Sequence, residues 1–396
     1  KQTLTSIIVV AFSATAVADF FPVATSITSS ISNQEKTVGK ATTAISDTKI
    51  SNESASSVSS STRPNVYFIL PDMMFGSEMF EKYHIEKSIL DGLKARGFNI
   101  LDKAYSNAPV TEFSVPHIFT MEHFLKDGET VSTTQLHKIR NSSRETNRVV
   151  KEFNLRGYTS YAVTDGYIDM CARGDYICIR NDGNNKYQQQ DIRFIERTPF
   201  FKILNVLDMK FNLFSSPMNL WPYPNRIEVP ELLPRILEPK TQPYFMYIHL
   251  AIPHFPLRFD RDCNYKRFDK TEVAYAEQYY CSVKYLELLI DKIIAMDKDA
   301  LIVMHADHGV MIRNQHLKQV EELSEEEIIE SLSIFSAFKV PDKCNDFVEN
   351  DLTPVNTFRL VFACLDDTLP QYVENKSFLV YYPKWPSGGK VRVWIH

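Results

Sequence analysis

The apolar run Ala300-Leu301-Ile302-Val303-Met304-His305-Ala306, closed by Asp307-His308-Gly309, constrains the fold of this chain most. A short continuous apolar run needs burial on both faces, which is the setting of a parallel strand in a helix-covered sheet. Two upstream stretches repeat the pattern. Val66-Tyr67-Phe68-Ile69-Leu70 closes with Pro71-Asp72, and Tyr244-Phe245-Met246-Tyr247-Ile248-His249-Leu250 leads into Pro253-His254-Phe255-Pro256. Shorter runs at residues 161–164 and 334–338 read the same way. Helical stretches lie between them. Residues 86–96 stop at Gly97, and residues 285–296 carry Leu286, Leu289, Ile290, Ile293 and Ile294 on one face. Strands alternating with helices predict an α/β fold with a mostly parallel central sheet flanked by helices.

In such sheets ligands bind beyond the carboxyl ends of the strands. Asp72, His254, Asp307 and His308 all fall on or just after strand ends. Thr111-Glu112-Phe113-Ser114-Val115-Pro116, expected as a loop, adds two hydroxyls. Singly, each has a plain structural reading: an Asp after a strand is commonly a turn former or helix cap. Together they point to a site. A hydroxyl is a weak nucleophile at neutral pH and needs a base or a metal. No Gly-x-Ser-x-Gly elbow precedes a helix, which argues against a Ser-His-Asp hydrolase. Carboxylates with imidazoles suit a divalent metal, zinc first, with manganese, magnesium or calcium as alternatives. His117, His249 and His305 read as structural.

The chain has 396 residues and a formal net charge of -5. No broad basic excess supports a nucleic-acid partner. The local group Arg258, Arg261, Lys266 and Arg267 reads as a solvated face. Residues 1–27 are mostly apolar or small, with Asp19 the one charge between Leu4 and Ile27. They read as the end of a transmembrane helix, and a signal peptide is the competing reading. Both readings export the rest of the chain. Residues 28–62, rich in Ser, Thr and Ala without an aromatic, read as a flexible linker. Residues 63–396 then form the catalytic domain. Six Cys allow about 15 pairings. Cys171 with Cys178 and Cys263 with Cys281 suit local bridges. Residues 194–237 form an aromatic, irregular excursion, and the acidic residues 321–330 read as an exposed helix start.

At these positions the chain resembles the alkaline phosphatase/sulfatase superfamily. The 64–72 segment looks like its opening strand and first metal ligand, and Asp307-His308-Gly309 matches its later metal motif. Thr111 to Phe119 is similar to the Thr-x-x-Ser-x-Pro nucleophile segment of lipid A phosphoethanolamine transferases. Pro253-His254-Phe255-Pro256 resembles the substrate-side histidine loop. Pro354-Val355-Asn356-Thr357-Phe358-Arg359 looks like a late segment of bacterial membrane-anchored sulfatase-like proteins. The resemblance implies an alkaline phosphatase-like fold with Thr111 as nucleophile and as a metal contact. Asp72, Asp307 and His308 would hold the metal, and His254 would contact the transferred group, a second metal or the leaving group. It further implies a membrane-anchored enzyme outside the bacterial cytoplasmic membrane. Its substrate would be a lipid or envelope glycan, decorated with phosphoethanolamine or glycerol phosphate. Sulfatases carry Cys/Ser-x-Pro-x-Arg, whereas here Ile118 stands in place of that Arg. A sulfuric ester hydrolase and a catalytically degenerate binding domain remain the alternatives. Oligomeric state is left open.

Overall fold

The computed structural model describes residues 63–145, 147–163, 170–171, 174–179, 229–238, 240–266, 268–382 and 389–395. The first strand, β1 (Val66–Asp72), is followed by β2 (Asn99–Ile100), β3 (Thr159–Val163) and β4 (Ile177–Ile179). Then come β5 (Tyr244–Pro253), β6 (Leu301–His305) and β7 (Ser336–Lys339). These seven make one sheet in the order β2-β7-β6-β1-β5-β3-β4. β1 sits between β5 and β6 and runs parallel to both. Its Val66 lies level with Phe245 on one side and Leu301 on the other. The three strands therefore finish together, and the sequence just past their carboxyl ends converges. β8 (Ser377–Leu379) and β9 (Arg392–Trp394) pair in a separate antiparallel sheet.

Helices cover the sheet because its central strands are apolar on both faces. Every residue of β1, β5 and β6 is buried. On one face, Phe68, Phe245 and Tyr247 meet Phe119, Phe153 and Phe358, which come from the helices Thr111–Thr120, Arg148–Leu155 and Thr357–Asp366. His305 packs here too, 4.8 Å from the Phe68 ring, with Thr357 Oγ1 3.0 Å from its Nε2. The 25-residue helix Glu272–Met296 starts at Thr271, whose side chain accepts from the Ala274 N–H. It buries Tyr275, Tyr279, Leu286, Leu289, Ile290 and Ile293. The stripe expected over 285–296 is thus the second half of one long helix.

Several expectations change in detail. The run at 334–338 becomes β7, which is antiparallel to β6. The sheet is therefore mixed, with β7 alone opposing the other strands. Residues 86–96 form a 3-10 turn, Lys87–Leu90, then a five-residue helix, Asp91–Ala95. Gly97 ends it at φ +83°, a conformation that favours glycine. The acidic segment does start a helix, Glu325–Leu332, through a reciprocal Ser324/Glu327 cap. It is not simply exposed, because Glu327 and Glu330 are buried. The two expected disulfides are present, and Cys344–Cys364 is a third. Among the described residues no helix is long and apolar enough to cross a membrane. The expected membrane segment and linker (residues 1–62), and most of the aromatic excursion, lie outside the described residues.

Candidate active site

Asp72 is the last residue of β1, and Met73 after it turns the chain at φ +64°. The Met73 N–H donates to Asp307 Oδ1 at 3.0 Å. Tyr275, from the long helix, donates its hydroxyl to the Met73 carbonyl and holds the turn. Asp307 lies two residues beyond β6. Its Oδ1 also accepts the His308 N–H at 2.9 Å. Asp307 thus bridges the ends of two neighbouring strands.

Gly309 is required by space. A Cβ there would stand 2.3 Å from the Glu330 carbonyl oxygen and 2.7 Å from that of Ser333. Its N–H donates to the Ser331 carbonyl at 2.9 Å. The Asp-His-Gly turn is seated directly on the backbone that leads into β7.

Thr111 is the first residue of the helix Thr111–Thr120, not part of a loop. Val110 before it is extended (φ -141°), so the chain enters the site as a strand and leaves as a helix. The Thr111 hydroxyl donates to Asp307 Oδ2 at 2.6 Å. The positive end of the helix dipole lies at the same place and favours negative charge there. Ser114, one turn on, is fully buried.

The imidazole of His308 is oriented by the backbone. Its Nδ1 lies 2.7 Å from the Gly309 carbonyl oxygen, which can only accept, so Nδ1 carries the hydrogen. Nε2 then faces the carboxylates, 3.7 Å from Asp72 Oδ1 and 3.5 Å from Asp307 Oδ2. A ring nitrogen fixed by a carbonyl, with the other turned to carboxylates, is the usual dress of a metal ligand. His249, from β5, brings its Nε2 to 3.8 Å from Asp72 Oδ2. Ligand atoms of Asp72, His249 and Asp307 lie within 4.8 Å of one another. Asp72, Thr111, His249, Asp307 and His308 are each at most 4% exposed. Two buried carboxylates, two imidazoles and a hydroxyl make a nitrogen/oxygen donor set that fits a divalent cation.

Burial pushes the Asp307 carboxyl up, but the two imidazoles, the Thr111 hydroxyl and the Met73 N–H outweigh it. The carboxyl stays below its ordinary range. Two histidines that read as structural are so. His117, stacked 4.0 Å from Phe124, is lowered by burial and by His123 to about 3. Burial lowers His305 to about 4.

Of the residues singled out in the sequence, Asp72, Thr111, Asp307 and His308 meet at one point. His249, assigned no role from the sequence, joins them. It sits inside an apolar strand run, where a histidine looks like core; its register opposite Leu70, beside the end of β1, carries the signal. His254 is not in the carboxylate cluster. It lies one residue beyond β5, half-buried, with Nδ1 2.7 Å from the Phe255 carbonyl oxygen. Gln278 of the long helix donates to the Pro253 and His254 carbonyls and holds that loop.

A sulfatase family model matches residues 64–334. A search of curated proteins gave no match. Among solved structures, the soluble domain of lipooligosaccharide phosphoethanolamine transferase A from Neisseria meningitidis is similar at TM-score 0.49 and 12% identity. That similarity covers 78% of this chain and 89% of that one. The integral membrane form of that transferase gives 0.48 and 12%, and there the chain spans 56% of its length. Phosphonate monoester hydrolase of Agrobacterium radiobacter gives 0.46 at 13% identity, over 80% of each chain.

Proposed function

The chain belongs to the sulfatase family, and we propose that it is a metal-dependent phospho-group transferase or hydrolase acting on phosphodiesters of the phospholipid type. The observation that carries this reading is the Thr111 hydroxyl, 2.6 Å from Asp307 Oδ2 within the cluster of Asp72, His249, Asp307 and His308. Those five residues would hold the ion, with zinc best suited to the mixed nitrogen and oxygen donors. When bound, a divalent ion supplies positive charge that favours the Thr111 alkoxide and neutralises phosphoryl oxygens.

The remaining chemistry belongs to the chain itself. Thr111 Oγ1 forms a bond to phosphorus as the bond to the departing alcohol breaks. Asp307 Oδ2 is the atom placed to receive the hydroxyl proton. The N-terminus of the Thr111–Thr120 helix offsets charge developing on the phosphoryl group. His254, whose Nδ1–H donates to the Phe255 carbonyl, would as the imidazolium give its Nε2 proton to the leaving alkoxide. A second alcohol, or water, then attacks phosphorus and returns its proton to His254, and Thr111 regains its own. With a glycan or lipid acceptor the reaction decorates the cell envelope; with water it is hydrolysis. Three disulfides support a catalytic domain working outside the cytoplasmic membrane, where thiols are oxidised. The Thr111 hydroxyl, bonded to Asp307 Oδ2, favours Thr111 chemistry over a formylglycine at Ser114.

The test is the intact mass of the zinc-loaded protein after incubation with phosphatidylethanolamine or phosphatidylglycerol, followed by peptide mapping. The expected result is a phosphoethanolamine or glycerol-phosphate adduct on Thr111, absent from Thr111→Ala. Formylglycine at Ser114 with metal-dependent sulfate release would replace this reading with a sulfuric ester hydrolase.

A further inference from the structure

Away from the reacting atoms lies Glu330, whose side chain is fully buried. Its Oε1 accepts from Lys82 Nζ at 2.8 Å and from the Tyr83 hydroxyl. Its Oε2 accepts from Gln315 Nε2 at 2.5 Å and lies 3.9 Å from Arg313 Nε. These donors come from two different parts of the chain. Lys82 and Tyr83 belong to the segment that leaves Asp72. Gln315 and Arg313 belong to the loop that leaves His308.

The Tyr83 connection runs toward the metal ligands through short contacts, and the backbone of Glu330 meets the turn after His308 directly. Tyr83 lies against Phe75 (centroids 4.5 Å) and Tyr275 (5.6 Å). Tyr275 donates to the Met73 carbonyl, and the Met73 N–H donates to Asp307. On the other side, the Glu330 carbonyl accepts the Val310 N–H at 2.9 Å. The same carbonyl is the atom that leaves no room for a Cβ on Gly309. Burial and Glu330 push the Tyr83 hydroxyl well above its ordinary value, so it remains a donor.

We propose that Glu330 is a positioning residue for the metal ligands, tying the segment that leaves Asp72 to the loop that leaves His308 so that both carboxylates and the imidazole face one point. It touches neither substrate nor metal. The inference rests on the proposed function only in requiring that the cluster bind a divalent ion. A core carboxyl whose sole task is stability has no reason to gather its partners from the two segments that follow the ligands. A connector does. Partners that orient ligands change metal affinity by about 10- to 100-fold when removed.

The test is zinc affinity, measured by chelator competition on the native protein and on Glu330→Gln, Tyr83→Phe and Lys82→Met. Thermal unfolding of the metal-free proteins is recorded alongside. Glu330→Gln keeps the shape but turns an amide N–H₂ toward donors. We expect its zinc dissociation constant to rise at least 10-fold, with a smaller rise for Tyr83→Phe and Lys82→Met. If Glu330→Gln fails to fold, Tyr83→Phe and Lys82→Met decide the matter, with at least threefold weaker binding expected in one of them. Folded variants that bind zinc within twofold of the native protein, whatever their unfolding temperature, overturn this inference alone. A native protein that binds no divalent ion overturns the proposed function together with it.

Discussion

Gly309→Ala tests how tightly the Asp-His-Gly turn is seated. Ordinary Cβ contacts begin near 3.4 Å, yet a Cβ here would stand 2.3 Å from the Glu330 carbonyl oxygen, 2.7 Å from the Ser333 carbonyl oxygen and 2.9 Å from the Ser331 carbonyl carbon. All three neighbours are backbone, so no side-chain rotation relieves the clash. One of the two chains must retreat by about 1 Å. Overpacking of this kind costs about 1–3 kcal/mol. In a domain of this size that lowers the unfolding temperature by roughly 1–4 °C. The functional loss should be larger. Asp307 and His308 are the two residues before the glycine, and a displacement of about 1 Å in a reacting geometry costs on the order of 100-fold in rate. The assay is turnover of a phosphodiester substrate with zinc in excess, beside a thermal melt of the same sample. A variant with native turnover and a native melting temperature would refute the claim that backbone contact seats this turn.

Other consequences of the geometry are more direct. Asp307→Asn should lower zinc occupancy, read by elemental analysis after dialysis; unchanged occupancy and turnover would remove Asp307 from the ligand set. His249→Ala should weaken zinc binding by about 10-fold or more, as loss of a ligand does at the least; native affinity would return His249 to a purely structural role. His117 and His305 are buried with pKa values lowered to about 3 and about 4, from 6.5. Their folded values lie below their unfolded ones, so protonation favours the unfolded chain. The stability they confer is complete above about pH 6.5 and falls as the pH drops toward 4, by about 3 kcal/mol for each at pH 4. His117→Phe, which keeps the stack on Phe124, should flatten part of that slope in denaturant melts taken from pH 7 to pH 4; an unchanged slope would count against it. The disulfides close separate loops of 7, 18 and 20 residues in sequence separation. Chain entropy then gives them about 2, 3 and 3 kcal/mol, a large share of an ordinary domain's stability. Reduction should therefore lower the melting temperature steeply, and an unshifted melt would show that the bridges add little.

Much of the site was legible in the sequence because strand ends announce themselves locally. An apolar run stops where a polar residue comes next, and that boundary located Asp72, Asp307 and His308. Pro116 and the hydroxyls around it drew attention to Thr111, although the segment looked like a loop and is a helix. The helix leaves little local signal because its first turn lacks a side-chain cap and Pro116 lies inside it. In the sequence Glu330 belongs to an acidic stretch that reads as an exposed helix start. Local pattern cannot reveal a carboxyl group whose partners are Lys82, Tyr83 and Gln315.

The sequence by itself determined the apolar strands β1, β3, β5, β6 and β7, their buried character and the polar residues at their ends, since hydrophobic period and turn residues act over a few positions. Which strand ends lie side by side was decided by the tertiary structure alone. The parallel register of β1 with β5 and β6 brings His249 from within an apolar run to the carboxylates of Asp72 and Asp307. It also leaves His254 on the loop beyond β5. Contacts between residues far apart in the chain depend on how whole elements pack, so the composition of any one segment cannot specify them.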